Sequence, residues 1–179
     1  MRLRALRALA ATTWLPSIQR FSISRTSLSA PQSPPWLLGE KMPEFSALEV
    51  GQVVAEGEFP ITRDSLVRYA GASGDFNPIH YRDDVAKQVG LPGVLAHGML
   101  TMGISIQPVI SWLSGSGEVV DYSVRFTKPV VVPASGEALV NVVATVAALD
   151  EENSKARIDL TTSFEGNTVL GKAQAWVQF

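Results

Sequence analysis

The stretch Gly98-Met99-Leu100-Thr101-Met102-Gly103-Ile104-Ser105-Ile106-Gln107-Pro108-Val109-Ile110-Ser111-Trp112-Leu113 decides the fold. Apolar side chains fall on nearly every face of a helix drawn through it, which predicts a helix enclosed by the rest of the domain. Pro108 removes a backbone donor from that helix, so the axis should bend and the last turn should shift or end early.

Everything C-terminal to it alternates with a period of two. Glu118–Thr127 alternates at Val120, Tyr122, Val124 and Phe126; Ala138–Leu149 and Lys155–Phe164 do the same, and Asn167–Phe179 completes the series. Turn signals at Pro133–Gly136, Asp150–Ser154 and Glu165–Asn167 predict consecutive hairpins and hence an antiparallel sheet. N-terminal to the helix, Gln52–Ile61 is strand-like, and Thr62 offers an N-cap to a helix carrying Leu66, Val67, Tyr69 and Ala70, with Asp64 in its first turn. Gly71–Tyr81 has the chemistry of a loop, and Arg82–Val89 that of a short helix stopped by Gly90. One helix plus one curling sheet is an α+β architecture.

Residues 1–41 are built differently. They hold six basic residues against the single acid Glu40, a formal +5, which leaves about −7 on residues 42–179. The leader is rich in serine and interrupted by Pro16, with Pro31, Pro34 and Pro35 near its end. Two readings stand: an organelle transit peptide, or a coding region placed upstream of a true start at Met42, since Gly39-Glu40-Lys41 can be encoded by a purine-rich ribosome-binding sequence. The first places the protein in mitochondria, the second in a bacterial cytoplasm. Both predict a flexible leader that adds nothing to the core, followed by one domain over 42–179. The apolar runs of the leader are too short to span a bilayer, the acidic body disfavours nucleic acid, and the lack of cysteine excludes thiolate metal sites, disulfides and cysteine nucleophiles.

The chain has two histidines, His80 and His97, one at each end of the predicted 82–89 helix. Asp75, Asn77, Ser73 and the Gly98 amide share that window, and Pro78 stiffens the loop between Asp75 and His80. Taken alone, an Asp in a Gly-Asp-x-Asn-Pro stretch is more often a turn or cap residue than a catalyst, and a lone His is more often structural.

The run Tyr69-Ala70-Gly71-Ala72-Ser73-Gly74-Asp75-Phe76-Asn77-Pro78-Ile79-His80-Tyr81-Arg82-Asp83 resembles the hydratase motif of the MaoC-like (R)-specific enoyl-thioester hydratases and dehydratases, whose core is Gly-Asp-x-Asn-Pro-[Leu/Ile/Val]-His. Ala96-His97-Gly98-Met99-Leu100 is similar to the start of that family's central helix, and Val124-Arg125-Phe126-Thr127-Lys128-Pro129 to the strand that follows. The likeness covers roughly 45–179 and is narrowest to the B subunit of actinobacterial (3R)-hydroxyacyl-ACP dehydratases. It implies a hot-dog fold, an antiparallel sheet wrapped around one helix. It also implies a hydro-lyase of fatty-acid metabolism, interconverting (R)-3-hydroxyacyl and trans-2-enoyl thioesters of acyl carrier protein or coenzyme A. On the same ground Asp75 and His80 hold the reacting water as an acid/base pair, the Gly98 amide faces the thioester oxygen, and Asn77 orders the loop. His97 is left structural, and Ser105 is not assigned. No cofactor and no metal are implied. A dimer is, either of this chain or with another hot-dog subunit. An acyl thioesterase and a non-catalytic partner subunit are the competing functions. For an acidic carrier protein, Arg82, Lys87, Arg125 and Lys128 are the candidate basic contacts.

Overall fold

The computed structural model describes residues 42–179 and the backbone of Ile18–Ser22. The body begins with a single 3-10 turn at Phe45–Ala47, followed by β2 (Val53–Ile61), α1 (Arg63–Ser73), a second 3-10 turn (Pro78–His80) and α2 (Asp83–Gln88). The central helix comes as two pieces, α3 (Gly98–Ser105) and α4 (Gln107–Leu113), and β3 (Glu118–Phe126), β4 (Ala138–Asp150), β5 (Lys155–Phe164) and β6 (Asn167–Gln178) follow. With Ile18–Ser22 as β1, the sheet is antiparallel throughout, in the order β1-β3-β6-β5-β4-β2.

Alternation along the strands produces the core. Val140, Val142, Ala144 and Val146 of β4, Ala156, Ile158 and Leu160 of β5, and Ala173, Ala175 and Val177 of β6 share one buried face. Met102, Ile106, Val109 and Leu113 of the central helix belong to the same apolar cluster. Thr62 caps α1 as expected: its hydroxyl accepts from the Ser65 N–H while the Ser65 hydroxyl receives the Thr62 N–H. Gly74 ends α1 in the left-handed region at φ 77°, so the helix runs further than the sequence pattern predicts, through Ser73.

Three expectations are corrected. The central helix is split at Ile106 rather than bent, and Pro108 stands in the first turn of α4, where a missing N–H costs nothing. Side chains reach carbonyls at the break, Met102 O being met by the Tyr122 hydroxyl at 3.2 Å and Gly103 O by Gln107 Nε2 at 3.1 Å, while the Ser105 hydroxyl donates back to Thr101 O at 2.7 Å. Nor is the helix enclosed on every side, since Met99 is 37% and Ile110 48% exposed.

The second correction is topological. The Pro133–Gly136 turn does not join a hairpin, because β3 pairs with β6 and not with β4. The connection is drawn off by segment 94–96, whose Ala96 N–H donates to Val130 O at 2.8 Å and whose Val94 O accepts from the Val132 N–H at 2.8 Å. The other two turns do make hairpins. Glu165 and Gly166 both have positive φ, at 49° and 73°, as a two-residue turn matched to strand twist requires.

The third concerns the leader, in which Ile18–Ser22 forms an edge strand on β3 from Ile18↔Arg125 to Ser22↔Asp121. The remaining expectations for residues 1–41 lie outside the described residues. No described helix is long and apolar enough to cross a membrane.

Candidate active site

Segment 94–96 carries the site. It is bonded on one side to 130–132, as above, and on the other its Leu95 N–H reaches Ile79 O at 3.1 Å. The Pro78–His80 turn is thereby held against the start of α3. Arg63 ties down the outer edge: Nε donates to Val132 O at 2.9 Å while Nη1 and Nη2 form a two-point pair with Asp83 at 3.1 and 2.8 Å. That guanidinium holds the Asp83 carboxyl below its ordinary range.

The Asp75–His80 loop is shaped by its own side chains. Asp75 Oδ1 accepts the Asn77 N–H at 3.2 Å, and Asn77 Oδ1 accepts the Ile79 N–H at 3.3 Å, capping the 3-10 turn that Pro78 begins. These bonds place Asp75 Oδ2 at 3.9 Å from His80 Nε2. The carboxylate side chain is 51% exposed and the imidazole 11%, so the pair reaches from solvent into the fold.

His80 Nδ1 lies 2.8 Å from Leu95 O. A carbonyl can only accept, so Nδ1 carries a proton, and in the neutral form of the ring the lone pair lies at Nε2, the atom nearer Asp75. His97 has the opposite tautomer: Nε2 lies 3.2 Å from Asp75 O and donates to it. The two rings stack at 3.9 Å with 22° between their planes, and Tyr69 covers His97 at 4.8 Å. Burial, together with the neighbouring His80, pushes the His97 pKa down. Burial and the nearby Asp75 push the Tyr69 phenol up.

Asp75, His80 and His97 bring ligand-type atoms within 4.8 Å of one another. His97 Nε2, however, is engaged as a donor to Asp75 O. Gly98 opens α3, where the first N–H groups have no acceptor within the helix. A Cβ at Gly98 would stand 3.1 Å from the Phe126 ring, so its lack of a side chain lets β3 close on the helix end. Ser105 is fully buried, its hydroxyl spent on Thr101 O.

A mainly apolar cavity of about 230 Å³ adjoins the site, with His80, Gly98, Thr101, Phe126, Lys128 and Leu170 among its lining. The structure therefore brings Asp75, Asn77, His80 and Gly98 together, and sets beside them His97, which the sequence reading left structural, and Tyr69, to which it gave no role. The signal available for His97 was that it is one of only two histidines, in the same window as the other. Of the four basic candidates, Lys128 lines the cavity and also donates to Asn167 Oδ1 at 2.6 Å, whereas Arg82 is engaged by Asp84.

The MaoC like domain model matches residues 45–163. The chain belongs to that family. This MaoC-like chain is 38% identical over 111 residues to the 3-hydroxyacyl-thioester dehydratase X of Mycobacterium tuberculosis, covering 62% of the chain and 35% of that protein. It is 30% identical over 135 residues to the (R)-specific enoyl-CoA hydratase of Rhodospirillum rubrum, covering 74% and 90%. A solved MaoC-like dehydratase superposes with a TM-score of 0.74 at 35% identity, over 77% of this chain and 42% of the other. The chain thus spans about a third of the length of the first relative. The antiparallel sheet around the central helix is the hot-dog fold of these MaoC-like hydratases.

Proposed function

We propose that this chain is a hydro-lyase, interconverting (R)-3-hydroxyacyl thioesters and trans-2-enoyl thioesters, with Asp75 and His80 as its acid/base pair. The observation that carries this reading is the His80 Nε2 lone pair facing Asp75 Oδ2 across 3.9 Å beside an apolar cavity and a helix N-terminus. That gap is too wide for a direct hydrogen bond, but it suits one water oxygen about 2.8 Å from each atom.

In the hydration direction, the water oxygen bonds to C3 as His80 Nε2 takes its proton, and Asp75 stabilises the imidazolium so formed. A proton is then returned to C2, and both groups end as they began. Charge that gathers on the thioester oxygen meets the Gly98 N–H at the positive end of α3. Asn77 holds the loop in shape. The apolar cavity suits an acyl chain, and Lys128 suits the anionic carrier, whether acyl carrier protein or coenzyme A. Pairing with a second hot-dog subunit, this chain or another, would cover Met99 and Ile110. A cytoplasmic location, or a mitochondrial one if residues 1–41 are a transit peptide, belongs to the same proposal.

Trans-2-enoyl-CoA and enoyl-ACP of several lengths should be hydrated by the purified chain, alone or with a partner subunit. Asp75→Asn and His80→Ala should each lose at least about 100-fold in kcat/KM with an unchanged circular dichroism spectrum. Full activity in both variants sinks the assignment. Release of free thiol without loss of enoyl absorbance would identify a thioesterase instead.

A further inference from the structure

The two histidines are stacked, but only one of them faces the Asp75 carboxylate, and this raises the question of what the other does. We propose that His97 is a positioning residue for the Asp75–His80 pair, pinning the Asp75 backbone through Nε2–H and setting the plane of the His80 ring with its face. The inference rests on the catalytic reading of that pair.

His97 is 1% exposed and is the N-cap of α3. Its own carbonyl receives both the Thr101 N–H at 3.1 Å and the Thr101 hydroxyl at 3.2 Å, so the residue is anchored in the central helix. From that anchor it bonds Asp75 O at 3.2 Å and stacks on His80 at 3.9 Å, with Tyr69 over its ring at 4.8 Å. Asp75 lies on an exposed loop and His80 on a separate one-turn helix. Within the loop the side chains of Ser73, Asp75 and Asn77 each accept a backbone N–H two residues on, and the His80 N–H reaches back to Asn77 O, so these bonds close only short spans. His97 therefore links both members of the pair to one rigid element, which is what holding two reacting groups at a set distance requires.

A second observation argues against a purely structural role. His97 Nδ1 is buried and has no hydrogen-bond partner. An unpaired acceptor in an apolar setting lowers stability, and such groups in a folded protein call for an explanation. A phenyl ring would fill the same space without that penalty. Imidazole is worth keeping there for its Nε2–H, which phenylalanine lacks. The titratable groups facing the ring are Asp75 from the loop, His80 from the 3-10 turn and Tyr69 from α1.

The test compares His97→Phe, His97→Gln, Asp75→Asn and His80→Asn in steady-state hydration of trans-2-enoyl-CoA, with a thermal melt of each. Glutamine places an amide N–H where imidazole has Nε2–H, and in His80→Asn the amide replaces Nδ1–H. His97→Phe should lower kcat about 100-fold at nearly constant KM, with Tm held or raised. His97→Gln should recover to within about tenfold of the parent. Nitrogen-15 spectra of the parent should show His97 neutral with the proton on Nε2. The inference is overturned by parental kcat in His97→Phe, by a kcat loss accompanied by a matching rise in KM and fall in Tm, or by a proton on His97 Nδ1. Retained activity in both Asp75→Asn and His80→Asn would overturn the catalytic reading itself, an outcome distinct from all of these.

Discussion

The sheet and the segment 74–98 are held together by different physics. Strands β3 to β6 share long ladders, such as Val140↔Phe164 through Asp150↔Lys155, and one face of them is buried against the central helix. Segment 74–98 has almost no ladder. Beyond the backbone bonds that tie 94–96 to 130–132 and to Ile79, its order comes from single bonds between a side chain and a backbone group: Asp75 on Asn77, Asn77 on Ile79, His80 on Leu95 and His97 on Asp75. The sheet is stabilised by area removed from water, which is spread over many residues. The segment is stabilised by a few directional contacts, each of which also aims a reactive group. Stability and activity should therefore separate between the two regions.

The sharpest way to break this comparison is a core truncation. Ile158 is fully buried on β5, so Ile158→Ala should cost about 2–5 kcal/mol, read by urea denaturation, while activity per folded molecule stays near the parent. A fall in activity larger than the loss of folded protein would show that sheet and site are not independent. A smaller effect is expected at the helix that leads into the site. Thr62→Ala removes the capping box of α1 and should cost about 1 kcal/mol, with little change in KM.

The smallest effect concerns pH. His97 is held below its ordinary value of 6.5 by burial and by His80, so the folded chain binds fewer protons than the unfolded chain as pH falls through that value. The stability linked to His97 is thus complete above about pH 6.5 and is lost as pH falls towards its folded pKa. Thermal melts at pH 7.5 and 5.5 should show a drop in Tm that is smaller in His97→Gln than in the parent. An equal drop in both would place the acid sensitivity elsewhere, in the carboxylates of the sheet and loops.

Much of the site was legible because its chemistry is local. The loop from Gly74 to His80 is closed by contacts spanning one to three residues, and proline and asparagine state that geometry in the chain itself. The same holds for the Thr62 cap and for the β4–β5 and β5–β6 hairpins. His97 was not legible. Its role depends on a carbonyl 22 residues away and on a ring stack across the start of the central helix, neither of which leaves a periodic or spacing signal.

Strand identity, the Thr62 cap and the Asp75–His80 loop were thus determined by the sequence alone, since each depends on neighbours a few residues apart. The placing of β3 beside β6, the split of the helix at Ile106 and the stacking of His97 on His80 were decided only in the tertiary structure. Each of those comes from groups far apart in the chain competing for the same partner: segment 94–96 against β4 for the 127–133 connection, the Tyr122 hydroxyl for Met102 O, and the Asp75 carbonyl for an imidazole on another element. Such competitions are settled by packing, and the chain encodes them only through the whole fold.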